Sequence, residues 1–143
     1  MSALDEVRQA IIQKLVSSGF ATTFPDVMVQ LPNQSFNVPT DKTYVKLTII
    51  HGDSQQAQLS NTRQVDRYVG LLQFDVVTPL DVGTKKQNDV TDALGKIFRR
   101  SEIQTNTAGT LIFKTPNLLT VGQERGAERV VIRIPFRRDE PIV

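Results

Sequence analysis

The chain has 143 residues, 39% hydrophobic and 22% charged, which predicts one globular domain over residues 1–143 with an ordinary core. Lys and Arg number 17 against 15 Asp and Glu, and the net charge of +2 is too mild to imply nucleic-acid binding by itself. Cysteine is absent, which excludes a disulfide framework, a thiolate nucleophile and a Cys-ligated metal, and no apolar run nears the roughly 20 residues that span a bilayer.

The N-terminus, MSALDEVRQAIIQKL, has acids at Asp5 and Glu6 and no signal-peptide apolar core, so we expect a soluble protein made and kept in a cytoplasm. Ser2 with Asp5 resembles a capping box. Leu4, Val7, Ala10, Ile11 and Leu15 then form a helical stripe, widened by Ile12 and Val16, and Gly19 is placed to end it in a left-handed conformation. A first helix is predicted from about Ala3 to Ser18.

Val27 to Leu31 reads as a short strand closed by Pro32, followed by a loop with one buried candidate, Phe36. Thr43 to His51 reads as a strong strand, with Val45, Leu47 and Ile49 on one face and Tyr44, Lys46, Thr48 and Ile50 on the other. Gly52 to Asp66 is polar and amide-rich, and is expected to be a long loop of the functional or disordered kind. Its candidates for contact with a partner are Asp53, Gln55, Gln56, Gln58, Asn61 and Arg63, because amide and charged side chains can pair with exposed backbone elsewhere.

Arg67 to Val77 reads as a strand with Tyr68, Gly70, Leu72, Phe74 and Val76 on its apolar face, stopping at Thr78 before Pro79. Asp81, Gly83 and Thr84 supply turn and N-cap residues. Val90, Ala93, Leu94, Ile97 and Phe98 form one helical stripe, suited to lie across a sheet face containing Leu72, Phe74 and Val76. Gly95 beside that stripe implies close approach to a strand.

Ser101 to Gly109 is expected to be polar connection. Leu111 to Phe113 and Asn117 to Val121 read as strands, and Gly122 to Gly126 as a turn. In the last strand, Glu128 to Phe136, the residues Val130, Ile132, Ile134 and Phe136 point inward and Arg129, Val131, Arg133, Pro135 and Arg137 outward. The tail RRDEPIV reads as loosely held, so charge reversal at Arg137 or Arg138 is expected to spare the fold. Consecutive strands with short links imply an α+β fold: a mainly antiparallel sheet of five to six strands with two helices packed on one face. The other face carries Tyr44, Ile50, Val69, Leu71, Val77 and Val131, an apolar set that predicts self-association.

Reactive chemistry is not written in the chain. The lone histidine, His51, stands before Gly-Asp with no nucleophile elbow beside it and reads as a strand-end residue. No phosphate loop, calcium loop or nucleic-acid-binding motif occurs. Asp89 and Asp92 suit helix-dipole and i,i+4 roles, the latter with Lys96. We therefore expect no catalytic, cofactor-binding or metal-binding residues.

The leading helix, the strand YVKLTII and the block GLLQFDVVTPLDVGTKKQNDVTDALGKIF resemble the tail-terminator (tail completion) proteins of long-tailed bacteriophages. LIFKTPNLLTVGQ and RVVIRIPFRRDE are similar to the closing strands of that family, so the likeness spans about residues 3 to 138. The resemblance implies a virion structural protein of the tail neck, assembled in the host cytoplasm, that forms a ring, typically a hexamer, on the head-proximal end of the tail tube. Such a ring ends tube polymerisation, meets the tail tube protein and the head–tail connector or neck protein, and lets DNA pass through its lumen, with no membrane contact. Val69, Leu71, Arg133, Arg137 and Arg138 join the loop residues above as interface candidates. The alternatives are another neck or tube ring (a head-completion protein or tail tube subunit) and, from a different class, a small cytoplasmic enzyme or ligand-binding module, which a size measurement separates from a ring.

Overall fold

The computed structural model describes residues 2–32, 39, 41–58, 64–80, 83–105, 108–124 and 126–142, with the backbone alone at 53–58, 64–65, 124 and 141–142. Phe36, Leu59, Asn61, Arg63 and Asp81 lie outside the described residues. The chain runs through helix α1 (Ala3–Ser17), a one-turn helix α2 (Phe20–Thr23) and strands β1 (Met28–Gln30), β2 (Tyr44–Gln58) and β3 (Gln64–Pro79). Helix α3 (Lys85–Phe98) and strands β4 (Glu102–Gln104), β5 (Thr110–Phe113), β6 (Asn117–Glu124) and β7 (Ala127–Ile142) complete it.

The result is an α+β fold built on a seven-stranded sheet of order β1-β2-β3-β7-β5-β4, with β6 also pairing β7. Every pairing is antiparallel except β1 with β2. The sheet thus exceeds the expected five or six strands, because Ile103 and its neighbours form β4 where a polar connection was expected. Three residues carry too little alternation to read as a strand.

The caps of the two long helices follow their residues only in part. The Ser2 hydroxyl accepts from the Asp5 N–H at 3.2 Å, while the Asp5 carboxylate turns forward to Arg8 at 3.1 Å instead of closing a capping box. Gly19, at φ +82°, ends α1 and leads into α2. At α3 the Thr84 side chain makes no cap hydrogen bond.

One core joins the two helices to one sheet face. Val7, Ile11 and Leu15 of α1 and Val90, Leu94 and Phe98 of α3 pack with Val45, Leu47, Leu72, Phe74, Val76, Ile132, Ile134 and Phe136. Burying each such side chain contributes about 1.5–3 kcal/mol. Phe74, Phe98, Phe113 and Phe136 form a chain of rings with centroids 5.3–5.6 Å apart. A Cβ at Gly70 would run into the Phe136 ring directly opposite it, so glycine makes room for the end of that chain. The α1 stripe is narrower than expected: Val16, rotated off the line of Val7, Ile11 and Leu15, is 71% exposed, and Leu4, on that line but in the first turn, is 53% exposed.

Gln87, unforeseen from sequence, is buried on α3 and donates to the carbonyls of Val76 at 3.2 Å and Glu128 at 3.1 Å. Its amide ties the helix to two strands without leaving a buried donor unmet. Gly95 faces Pro116, whose ring a Cβ would meet at ordinary contact distance, rather than a strand.

The central strands are longer than their apolar alternation. Gly52 to Asp66 is not simply a loop: Ser54, Gln55, Gln56 and Gln58 pair with Tyr68, Arg67, Asp66 and Val65, with register shifts at His51/Ser54 and Gln56/Gln58. The tail is not loose either, since β7 continues to Ile142 and pairs with β3 back to Gln64. Backbone ladders hold these segments, and ladder bonds leave no period in the side chains. Strand β3 likewise runs through Thr78 to Pro79, opposite Ala127. No described pair joins β2 to β3 beyond Val77, so the missing N–H of a terminal proline there is tolerable. Gly122 lies inside β6 at a bulge with φ +91°, and the turn itself falls at Gly126 with φ +77°.

Candidate assembly surface

Period two sends alternate residues of β3 and β7 to the sheet face opposite the helices. Register places Arg67 opposite Asp139, Val69 opposite Arg137, Leu71 opposite Pro135 and Gln73 opposite Arg133. Val69, Leu71, Arg133 and Arg137 are therefore brought together on one surface, as the sequence implied. Its apolar part is smaller than expected. Ile50 is 44% and Val69 40% exposed, whereas Val77 and Val131 are buried. In register, Val131 lies between Asp75 and Leu119, and Val77 between Tyr44 and Arg129, so longer neighbours screen both valines.

Polar contacts stitch the rest of this face. Arg133 Nε donates to Gln73 Oε1 at 3.2 Å, and Gln73 Nε2 donates to Asp75 Oδ1 at 2.9 Å. Arg129 approaches the other Asp75 oxygen at 3.8 Å. Arg67 grips Asp139 with Nε to Oδ1 at 2.9 Å and Nη2 to Oδ2 at 3.2 Å, a two-pronged cross-strand pair.

That pair shifts both groups. Hydrogen bonds from Arg67 hold the Asp139 carboxyl below its ordinary 3.8, and Asp139 in turn raises the guanidinium of Arg67. Because the folded-state pKa of Asp139 is depressed, its stabilisation is full above 3.8 and is lost as pH falls through the folded value. We expect the urea midpoint of the wild type to drop further between neutral pH and pH ~3 than that of Asp139→Asn, the pair being partly screened by water. Matching pH profiles for the two proteins would refute the coupling.

Arg138 belongs elsewhere. Two residues beyond Phe136, it points to the helix side, is 3% exposed, and lies 4.1 Å from the Tyr68 ring centroid. Its Nη1 donates to the Ala108 carbonyl at 3.1 Å and to Glu140 Oε2 at 2.8 Å. It is held inside the fold, which removes the basis for expecting charge reversal there to spare the fold. Gly109, at φ +84°, seats the Ala108 segment against β7, where a Cβ would meet the Asp139 carbonyl. His51 lies within β2 rather than at its end, exposed overall. Partial loss of water around its ring, with the charge of Arg138, lowers its pKa from 6.5.

The remaining candidates sit at the far end of the sheet. Gln55, Gln56 and Gln58 occupy ladder positions at the tip of the β2–β3 hairpin, and Asp53 falls in the register shift between His51 and Ser54. Asn61 and Arg63 lie outside the described residues. Sequence reasoning missed Leu118, Leu119 and Val121 of β6, all large apolar residues left exposed. Asn117 to Val121 read as a strand, and its residues gave no sign that one of its edges is open.

A family described as phage tail terminator protein matches residues 6–136. No curated protein matches the chain. Among solved structures, one whose title carries no functional description superposes with a TM-score of 0.75 at 19% identity, covering 96% of each chain. Another, titled as the virion of a native gene transfer agent particle, has a TM-score of 0.58 at 18% identity and covers 99% of this chain and 98% of its own. At such identities these likenesses concern the fold. The family match spans nearly the whole chain, and on it the chain belongs to the phage tail terminator family, a structural component of the phage tail and so of the virion.

Proposed function

We propose that this chain acts as one domain that assembles into a ring, most simply a hexamer, on the head-proximal end of the tail tube. The ring ends tube polymerisation, presents a surface to the head connector or neck protein, and leaves a lumen through which DNA passes. Its work is assembly rather than catalysis, done in the host cytoplasm and retained at the neck of the virion. The family match over residues 6–136 carries this reading. The fold shared with a protein of a gene transfer agent virion supports it, as does a polar hairpin tip that extends past the last β5 pairing at Asp139.

In this reading the hairpin tip is the contact to the neighbouring ring or tube, through Asp53, Gln55, Gln56, Gln58, Asn61 and Arg63. Alanine at Gln55, Gln56, Gln58, Asn61 and Arg63 together keeps the backbone ladder available and should leave the melting temperature close to wild type. Phage carrying it should yield overlong or headless tails in electron micrographs. Infectious particles with tails of normal length would show that the tip does not carry assembly.

A further inference from the structure

We infer that β6 is a docking strand whose occupant is a second copy of this chain, entering through the free edge of its own β2. This inference rests on the ring reading and specifies how its subunits join. Strand β6 pairs only with β7 among the described residues, so its other edge offers a row of unsatisfied backbone groups. Folded proteins defend such edges with charges or proline. From Asn117 to Gln123 there is neither, and Leu118, Leu119 and Val121 are exposed, Leu118 by 64%. Left bare in solution, such a strand is an aggregation hazard, and a partner strand removes it.

The matching edge lies on the opposite side of the same sheet. Strand β1 covers β2 only at Tyr44–Lys46. Beyond it, Leu47 to Gly52 has no pairing partner other than β3 among the described residues, carries no Lys, Arg, Asp or Glu, and presents the exposed Ile50. Direction agrees as well. Strands β2, β3, β7 and β6 alternate in sense, so a following copy's β2 beside β6 continues an unbroken antiparallel order. That arrangement brings Lys46, the residue just before one free edge, to the same end as Glu124, the last residue of the other. An isologous β6–β6 contact would cover both β6 edges and leave both β2 edges open. Head-to-tail pairing covers both kinds of edge with one kind of contact, and such contacts make a ring when the rotation between copies closes.

The absence of cysteine gives a clean test. Leu119 and Ile50 both lie on the face away from the helices, and Thr48 lies beside Ile50 on that face. Protein with Leu119→Cys, mixed with Ile50→Cys or Thr48→Cys protein and treated with a short thiol cross-linker, should give dimers. The double variant should give a ladder of higher oligomers, both in solution and in virions assembled with it. Leu118→Lys added to the double variant should abolish the ladder with no change in melting temperature. Cross-linking of Leu119→Cys to itself alone would overturn the inference in favour of isologous pairing. Rings seen by microscopy in which neither position links to 119 would overturn the edge contact while leaving the ring reading intact. A chain that stays monomeric both at high concentration and on tail tubes would overturn both.

Discussion

Arg138→Ala is expected to destabilise the folded chain by about 3–5 kcal/mol, the cost of breaking a buried ion pair by removing one partner. Its side chain is 4% exposed, against 25% for Glu140, so truncation leaves a half-buried carboxylate without its cation. The change also strips the Tyr68 ring of its cover and the Ala108 carbonyl of its donor. Arg138→Glu should fare worse, because two carboxylates would then face each other two residues apart on one strand face. Arg138→Met keeps an apolar stem over Tyr68 and should recover part of the loss. Urea unfolding of the three variants reads this order directly. A midpoint for Arg138→Ala within about 0.5 kcal/mol of wild type, the range of ordinary surface changes, would place the side chain in solvent.

Phe98→Ala is the second large effect, again about 3–5 kcal/mol. Phe98 is the last residue of α3, is fully buried, and touches both Phe74 of β3 and Phe113 of β5. Its ring is therefore the joint between the helix and two non-adjacent strands. Deleting it opens a cavity that Phe74 and Phe113 cannot both fill, since each is held by its own strand ladder. Phe98→Leu should cost less by keeping most of the volume. Equal melting temperatures for wild type and Phe98→Ala would show that the ring chain does not support the core.

Where side chains alternate by burial, the sequence was readable. Val45, Leu47 and Ile49, or Val90, Leu94 and Phe98, announce both their element and its inner face, because burial on one side imposes a period of 2 or 3.6. Gly19 was readable for a different reason, as the residue that ends a stripe in the left-handed region. The hairpin tip and the C-terminal tail were not, since hydrogen-bonded backbone stabilises them and backbone has no sequence. Arg138 was hidden by its charge, although period two carried on from Phe136 points it inward. Gln87 was hidden because its partners, the carbonyls of Val76 and Glu128, belong to strands that only the folded chain brings near. Of the candidate site, the shared face of Val69, Leu71, Arg133 and Arg137 followed from alternation alone. The open edge of β6 did not, because an edge is a property of strand order.

Register between β3 and β7 holds without a bulge from Gln64↔Ile142 to Pro79↔Ala127, while β2 alongside takes up two irregularities. Sixteen residues of strand extend roughly 50 Å at about 3.3 Å per residue, so this pair is a girder running the length of the subunit. Its shear is resisted by every ladder bond at once, and it contains no hinge. A push on the tip is therefore expected to turn the whole body rather than bend the pair, and in the ring proposed above the tilt of one subunit would become a boundary condition for the next.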